Sequence, residues 1–147
     1  MYFDVCCLNR PFDDQTQDRV RLESIAVLNI LKHVELDGWI SVGSDAIQDE
    51  VGRDTDIDRR YRVQSYADLA QQMVTVQREQ LTRAVEIQGM GFQPFDALHI
   101  ACAEHAGVDA FLTTDDRLLR LSIRANNRLT VRVANPAVWL LEVQNDY

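Results

Sequence analysis

Lysine is almost missing from this chain: of 147 residues one, Lys32, carries it, and arginine supplies the remaining basic charge. A phosphoacceptor signalling domain gathers acidic residues at strand ends but needs a lysine at a late strand end. Lys32 falls in the first long helical stretch, which argues strongly against that class. A basic excess is also lacking, since 15 Lys and Arg stand against 23 Asp and Glu for a net charge of -8. That cuts against a partner held by a broad cationic surface, because such surfaces work by neutralising phosphates. Cysteine is scarce and odd in number: Cys6, Cys7 and Cys102 lack Cys-x-x-Cys spacing, which argues against a disulfide framework or a zinc site, and they read as small buried hydrophobes. Few glycines and prolines, no repeat and no low-complexity tract speak against disorder and solenoids. No eighteen apolar residues run together, and the N-terminus reaches Asp4 at once, so neither a membrane span nor a secretory leader is expected. The expectation is a soluble, cytoplasmic protein forming a single domain over 1–147, with 46% hydrophobic residues to build its core.

What is present is an alternation of short apolar runs with helical periodicity. Residues 1–5 read as a strand, and a turn at Asn9, Arg10 and Pro11 leads to a helix over 17–36 with Ile25, Leu28, Leu31 and Val34 on its apolar face. A strand over 39–42 follows, then a helix capped by Ser44 that carries Glu50. Two helices fill 53–88, with Tyr66, Leu69, Ala70 and Met73, then Leu81, Ala84 and Val85, at helical spacing. Gly89 and Gly91 break the second, Pro94 opens a helix over 95–105, and Gly107 ends it. A strand over 110–113, a helix over 116–125, a strand over 129–133 and a last helix opened by Asn135 and Pro136 complete the pattern. Strands alternating with helices imply parallel pairing and right-handed crossovers, hence an α/β sandwich.

Four carboxylates, Asp4, Glu50, Asp96 and Asp115, stand where a strand or ordered turn passes into a helix. Each has a local explanation: Asp96 suits a first helical turn, Asp115 can cap the next helix, and Glu50 can be a solvated helix residue. Asp4 is harder to dismiss, because a carboxylate directly after an opening strand falls near the crevice at the carboxyl ends of a parallel sheet. If the strands bearing Asp4 and Asp115 are neighbours, like charges meet there and need a proton or a cation. An all-oxygen donor set favours Mg²⁺ or Mn²⁺, and such ions suit phosphodiester hydrolysis. Thr113 stands where its hydroxyl can reach Asp4 or a water.

These residues resemble the PIN-domain family of metal-dependent ribonucleases, and among them the VapC-type toxins of toxin–antitoxin pairs. The opening Phe-Asp-Val-Cys-Cys-Leu-Asn-Arg-Pro is similar to the family's first strand with its leading Asp, and Ala-Ile-Gln-Asp-Glu-Val to the helix bearing its Glu. Asp-Ala-Leu-His-Ile-Ala-Cys-Ala-Glu-His-Ala-Gly followed by Phe-Leu-Thr-Thr-Asp-Asp resembles the family's helix and Thr-x-Asp strand end, and Asn-Pro-Ala-Val-Trp-Leu-Leu its closing helix. The resemblance implies a three-layer α/β/α sandwich with a central parallel, flap-nuclease-like sheet. It implies metal ligation by Asp4, Glu50, Asp96 and Asp115, with Asp116 and Asp49 as rivals to Asp115 and Glu50. It also implies an RNA substrate, a small antitoxin partner and a homodimer. After Asp4 the family commonly has a small hydroxyl residue and then Asn, where this chain has Val5 and Cys6. The alternative is a catalytically silent PIN-like module that binds RNA or a protein. His99, one turn after Asp96, is a further candidate for contact with a phosphate or a metal-bound water, Arg10 for a substrate phosphate, and the arginines at 117, 120 and 124 for RNA, each with a structural reading beside it.

Overall fold

Five short strands form one sheet in which every pairing is parallel: β1 (Tyr2–Phe3), β2 (Val42–Ser44), β3 (Gln72–Val74), β4 (Phe111–Leu112) and β5 (Val133–Ala134). Their order is β3-β2-β1-β4-β5. These elements come from a computed structural model that describes residues 1–145, so the last two positions of the expected 1–147 unit lie outside the described residues. The helices are α1 (Val5–Asn9), α2 (Asp18–Leu36), α3 (Asp45–Gly52), α4 (Ile57–Ala67), α5 (Arg78–Gln88), α6 (Pro94–Ala106), α7 (Asp116–Ala125) and α8 (Pro136–Asn145). Short 3-10 turns lie at Arg10–Phe12 and Asn126–Arg128.

The chain leaves β1 towards β2 and β3, then returns across the sheet to β4 and β5. With right-handed crossovers, that reversal puts α2 on one face and α5, α6 and α7 on the other. The packing agrees: α2 lies on α8, and α5 lies on α6. The result is an α/β/α sandwich with its core around Tyr2, Phe111, Leu112, Val27, Ile30 and Ile100, all fully buried. The reversal also makes the gap between β1 and β4 the switch point of the sheet, outside whose carboxyl end ligands gather in open α/β folds. No helix of the described residues is long and apolar enough to cross a membrane.

Several elements differ from the sequence reading. The stretch between 68 and 77 holds a strand, β3, where only helix was expected; Met73 lies in it, half-exposed, instead of on a helix face. Residues 5–9 are helical, so the first strand ends at Phe3 and Cys6 and Cys7 stand on a helix turn. The second and last strands shift towards the C-terminus, to 42–44 and 133–134. The apolar face of α2 is rotated: Ile25 and Leu28 point outwards while Glu23 and Ser24 are buried. Polar residues can occupy that face because each is bonded there, Ser24 to the carbonyls of Arg10 and Val20, and Glu23 to two arginines and Asn135. On α5 the buried positions are Gln80, Ala84 and Ile87, and Leu81 and Val85 are exposed.

Candidate metal centre

Asp4 follows β1 directly, and its amide donates to the Leu112 carbonyl at 2.8 Å, which locks it to the carboxyl end of β4. Its backbone is extended and serves as the N-cap of α1, yet its side chain makes no capping bond. The carboxylate turns across to β4. There the Thr113 hydroxyl donates to Oδ2 at 2.7 Å, and the Cys6 thiol approaches the same oxygen at 3.3 Å and the Thr113 hydroxyl at 3.4 Å. Thr113 is itself fully buried and accepts from the Asp115 amide at 3.1 Å. Among the described residues, all hydrogen bonds to this carboxylate go to Oδ2 and none to Oδ1.

Glu50 lies on α3, which Ser44 starts by accepting from the Ile47 amide. One of its oxygens, Oε1, lies 3.2 Å from Nε2 of His99, and His99 stands on α6 one turn beyond Asp96. Donor atoms of Asp4, Glu50 and His99 fall within 4.8 Å of one another. Asp96 and Asp115 lie outside that triad, though Glu50 and His99 both act on the Asp96 carboxyl. Burial first, and then the charge of Asp115, hold the Asp96 carboxyl above its ordinary range, with Glu50 adding to the rise and His99 and Arg117 opposing it. Asp4 is raised well above the usual carboxylate range, chiefly by burial and next by the Cys6 sulfur; His99 and the Thr113 hydrogen bond oppose this. Cys6 is held down at about 6 by hydrogen bonding with Cys7 and then by Thr113 and Thr114, against its burial.

The rival acids go elsewhere. Asp116 forms a forked pair with Arg19, at 2.5 and 2.7 Å, and Asp49 pairs with Arg53 at 2.8 Å on the surface. Asp115 uses Oδ1 to cap α7, accepting from the amides of Arg117 and Leu118. Arg10 is committed to Glu23 and Asp13, while Arg117, Arg120 and Arg124 are exposed along α7. Three participants escaped the sequence reading in whole or part. Cys6, taken for a buried hydrophobe, lies partly buried against Asp4 and Thr113. Tyr2, taken for an apolar strand residue, carries its hydroxyl into the core against Ser44 and His99. His99, weighed as a contact to a phosphate or a metal-bound water, is buried beside two carboxylates. One signal was available: Tyr2 and Asp4 are two apart around a strand end, so they share a side of the sheet.

Beside the triad lies a cleft of about 250 Å³ lined by Val5, Asn9, Glu50, Arg53 and Arg60, among others. A larger concavity, about 640 Å³, opens at the opposite end of the sheet beside Met1, Trp39 and Trp139, away from Asp4 and Glu50. Whether the acidic donors suit a divalent cation can be judged from their spacing. Ligands about 2.1 Å from an ion and at right angles lie about 3.0 Å apart. The Glu50–His99 separation of 3.2 Å matches that spacing. Asp4, buried with one oxygen free of hydrogen bonds, meets the burial cost of its charge best with a cation nearby. The residues therefore fit a hard or borderline divalent ion.

A family model described as PIN domain matches residues 2–123. No curated protein matches the chain.

Proposed function

Because this chain belongs to the PIN-domain family, whose members are generally nucleases that use divalent metals, we propose that it is a Mg²⁺- or Mn²⁺-dependent endoribonuclease, a hydrolase of RNA phosphodiester bonds. The observation that carries this reading is the meeting of Asp4 and Glu50 at the sheet's switch point, with the charge of Asp115 close enough to raise the Asp96 carboxyl. Asp4, Glu50, Asp96 and Asp115 hold the ion. A divalent ion bound there lowers the pKa of an attacking water and neutralises charge on the scissile phosphate.

The chain's own residues prepare that chemistry. Thr113 fixes Asp4 through Oδ2 and so orients the other oxygen; it is a positioning residue. Cys6 stands two residues after Asp4, where the family commonly has Asn, and supplies a weaker sulfur contact to the same oxygen. Asp116 acts outside the site, tying α2 to the start of α7 through Arg19. Arg53 and Arg60 line the adjoining cleft, where they offset the chain's net negative charge for an approaching phosphate. By resemblance, the protein acts in the cytoplasm as the toxin of a type II pair, as a homodimer, restrained by a small antitoxin that covers the acidic crevice.

The test is cleavage of a mixed RNA substrate in Mg²⁺ or Mn²⁺ by the parent and by Asp96→Asn. Loss of cleavage in the variant, with chelator silencing the parent, is the expected result. Cutting by Asp96→Asn at the parental rate in matched metal overturns the reading.

A further inference from the structure

Among the candidate ligand atoms, one is not an oxygen. His99 is fully buried, with its ring edge-on to Tyr2 at 5.7 Å and tilted on Phe95 at 5.3 Å. Its Nδ1 lies 2.6 Å from the Tyr2 hydroxyl, which lies 2.6 Å from the Ser44 hydroxyl. Its Nε2 faces Glu50 at 3.2 Å and shares a 4.8 Å neighbourhood with Asp4. A histidine held through one ring nitrogen by a buried polar partner, with the other nitrogen aimed at two carboxylates, has the support of a metal-ligating imidazole.

We propose that His99 is a nitrogen ligand of the cation held by Asp4 and Glu50, and that it makes the centre favour first-row transition ions such as Mn²⁺ over Mg²⁺. This rests on the metal-dependent reading above and sharpens it. Mg²⁺ is held through oxygen donors in near-ideal octahedra, whereas transition ions also accept imidazole nitrogen.

The hydrogen-bond chain behind His99 allows this without any change of charge. In the metal-free protein, Nε2–H donates to Glu50, and Nδ1 accepts from the Tyr2 hydroxyl, which in turn accepts from Ser44. In the metal-bound protein the ring holds its proton on Nδ1, which donates to the Tyr2 oxygen. Tyr2 then donates to the Ser44 oxygen. One proton changes ring nitrogen by exchange with solvent, and two hydroxyls rotate. The freed Nε2 lone pair would face two carboxylates and is favourable only with a cation between them.

The experiment is pulsed electron paramagnetic resonance of Mn²⁺ bound to the full chain, read for nitrogen modulation of the spin echo, with Mn²⁺ and Mg²⁺ affinities measured by calorimetry. The other two histidines, His33 and His105, are removed together by His33→Gln and His105→Gln. Expected is directly coordinated nitrogen in the parent and in that double variant, altered by ¹⁵N-histidine labelling. His99→Gln should lose the coupling and weaken Mn²⁺ binding at least about tenfold, the lower end for losing even a supporting group, with Mg²⁺ binding little changed. Tyr2→Phe should keep the coupling with weaker Mn²⁺ binding. If His99→Gln fails to fold, the labelled double variant decides alone. Bound Mn²⁺ with no coordinated nitrogen overturns the role of His99 and leaves the carboxylate site standing. No Mn²⁺ binding in any form overturns both this inference and the metal-dependent function.

Discussion

Replacing Asp4 with Asn should stabilise the metal-free protein. Asp4 is 6% exposed, and burial, with the Cys6 sulfur second, holds its carboxyl well above the ordinary range. In the unfolded chain that carboxyl ionises near pH 4. Between that pH and the folded value the native state binds more protons than the unfolded one, so its contribution is fully present below pH 4 and is lost as pH rises. Asp96, raised by burial and then by Asp115, acts in the same direction. Donor atoms of Asp4 and Glu50 lie no more than 4.8 Å apart. Two charges at such a distance repel by about 3.5 kcal/mol at an effective dielectric of 20 and about 1 kcal/mol in water. The Glu50 side chain is 35% exposed, which puts the relief towards the lower end, about 1–2 kcal/mol. An Asn amide oxygen can still accept from Thr113, and its NH₂ can face Glu50 as a donor. For a domain of this size the gain corresponds to a Tm about 2–8 °C higher. Thermal unfolding in chelator at pH 8 and pH 4.5 measures it, and the gap should shrink at the lower pH. Saturating Mn²⁺ should reverse the order, since only the parent gains binding energy, about 2.7 kcal/mol at a hundred times Kd. An Asn variant less stable than the parent at pH 8 without metal, or a gap unchanged by pH, refutes the reasoning.

Glu23→Ala should cost about 2–4 kcal/mol, because it strips a buried carboxylate from Arg10, Arg19 and Asn135, while the partly exposed arginines recover some solvation; a loss under about 1 kcal/mol in urea titration would contradict that. Cys6 should be the single fast thiol, its reaction with an aromatic disulfide rising through about pH 6 and vanishing in Cys6→Ser. Cys7 and Cys102 are buried, and burial raises both thiols. Fast labelling that persists in Cys6→Ser would show that another thiol carries the reactivity.

Local chemistry made much of the fold legible. Ser44, Asn135 and Gly107 mark helix ends by rules that need only a few neighbouring residues, and the structure uses each there: Ser44 accepts from Ile47, Asn135 from Ala137, and Gly107 takes a left-handed φ of 67°. β3 was not legible, because Gln72 and Met73 are exposed and the strand exists only through its pairing with β2. The buried face of α2 was hidden for a related reason. Glu23 and Ser24 read as solvent-facing until the bonds that satisfy them are known. At the site, the chain order of the acids could be read, but the preference of Asp116 for Arg19 and the approach of His99 to Glu50 depend on contacts 97 and 49 residues apart in sequence.

The placement of Asp4 has a consequence for when the centre comes into being. Asp4 is seated by the Leu112 carbonyl and the Thr113 hydroxyl, contacts that reach from the start of the chain to its last third. During synthesis the first strand emerges with no neighbour to hold it on that side, and β4 must arrive before the carboxylate has a fixed direction. A ribosome-bound chain that stops short of β4 therefore has no assembled site, however well its earlier helices form. The Asp4 carboxylate thus acquires its fixed direction only in the last third of the chain's synthesis.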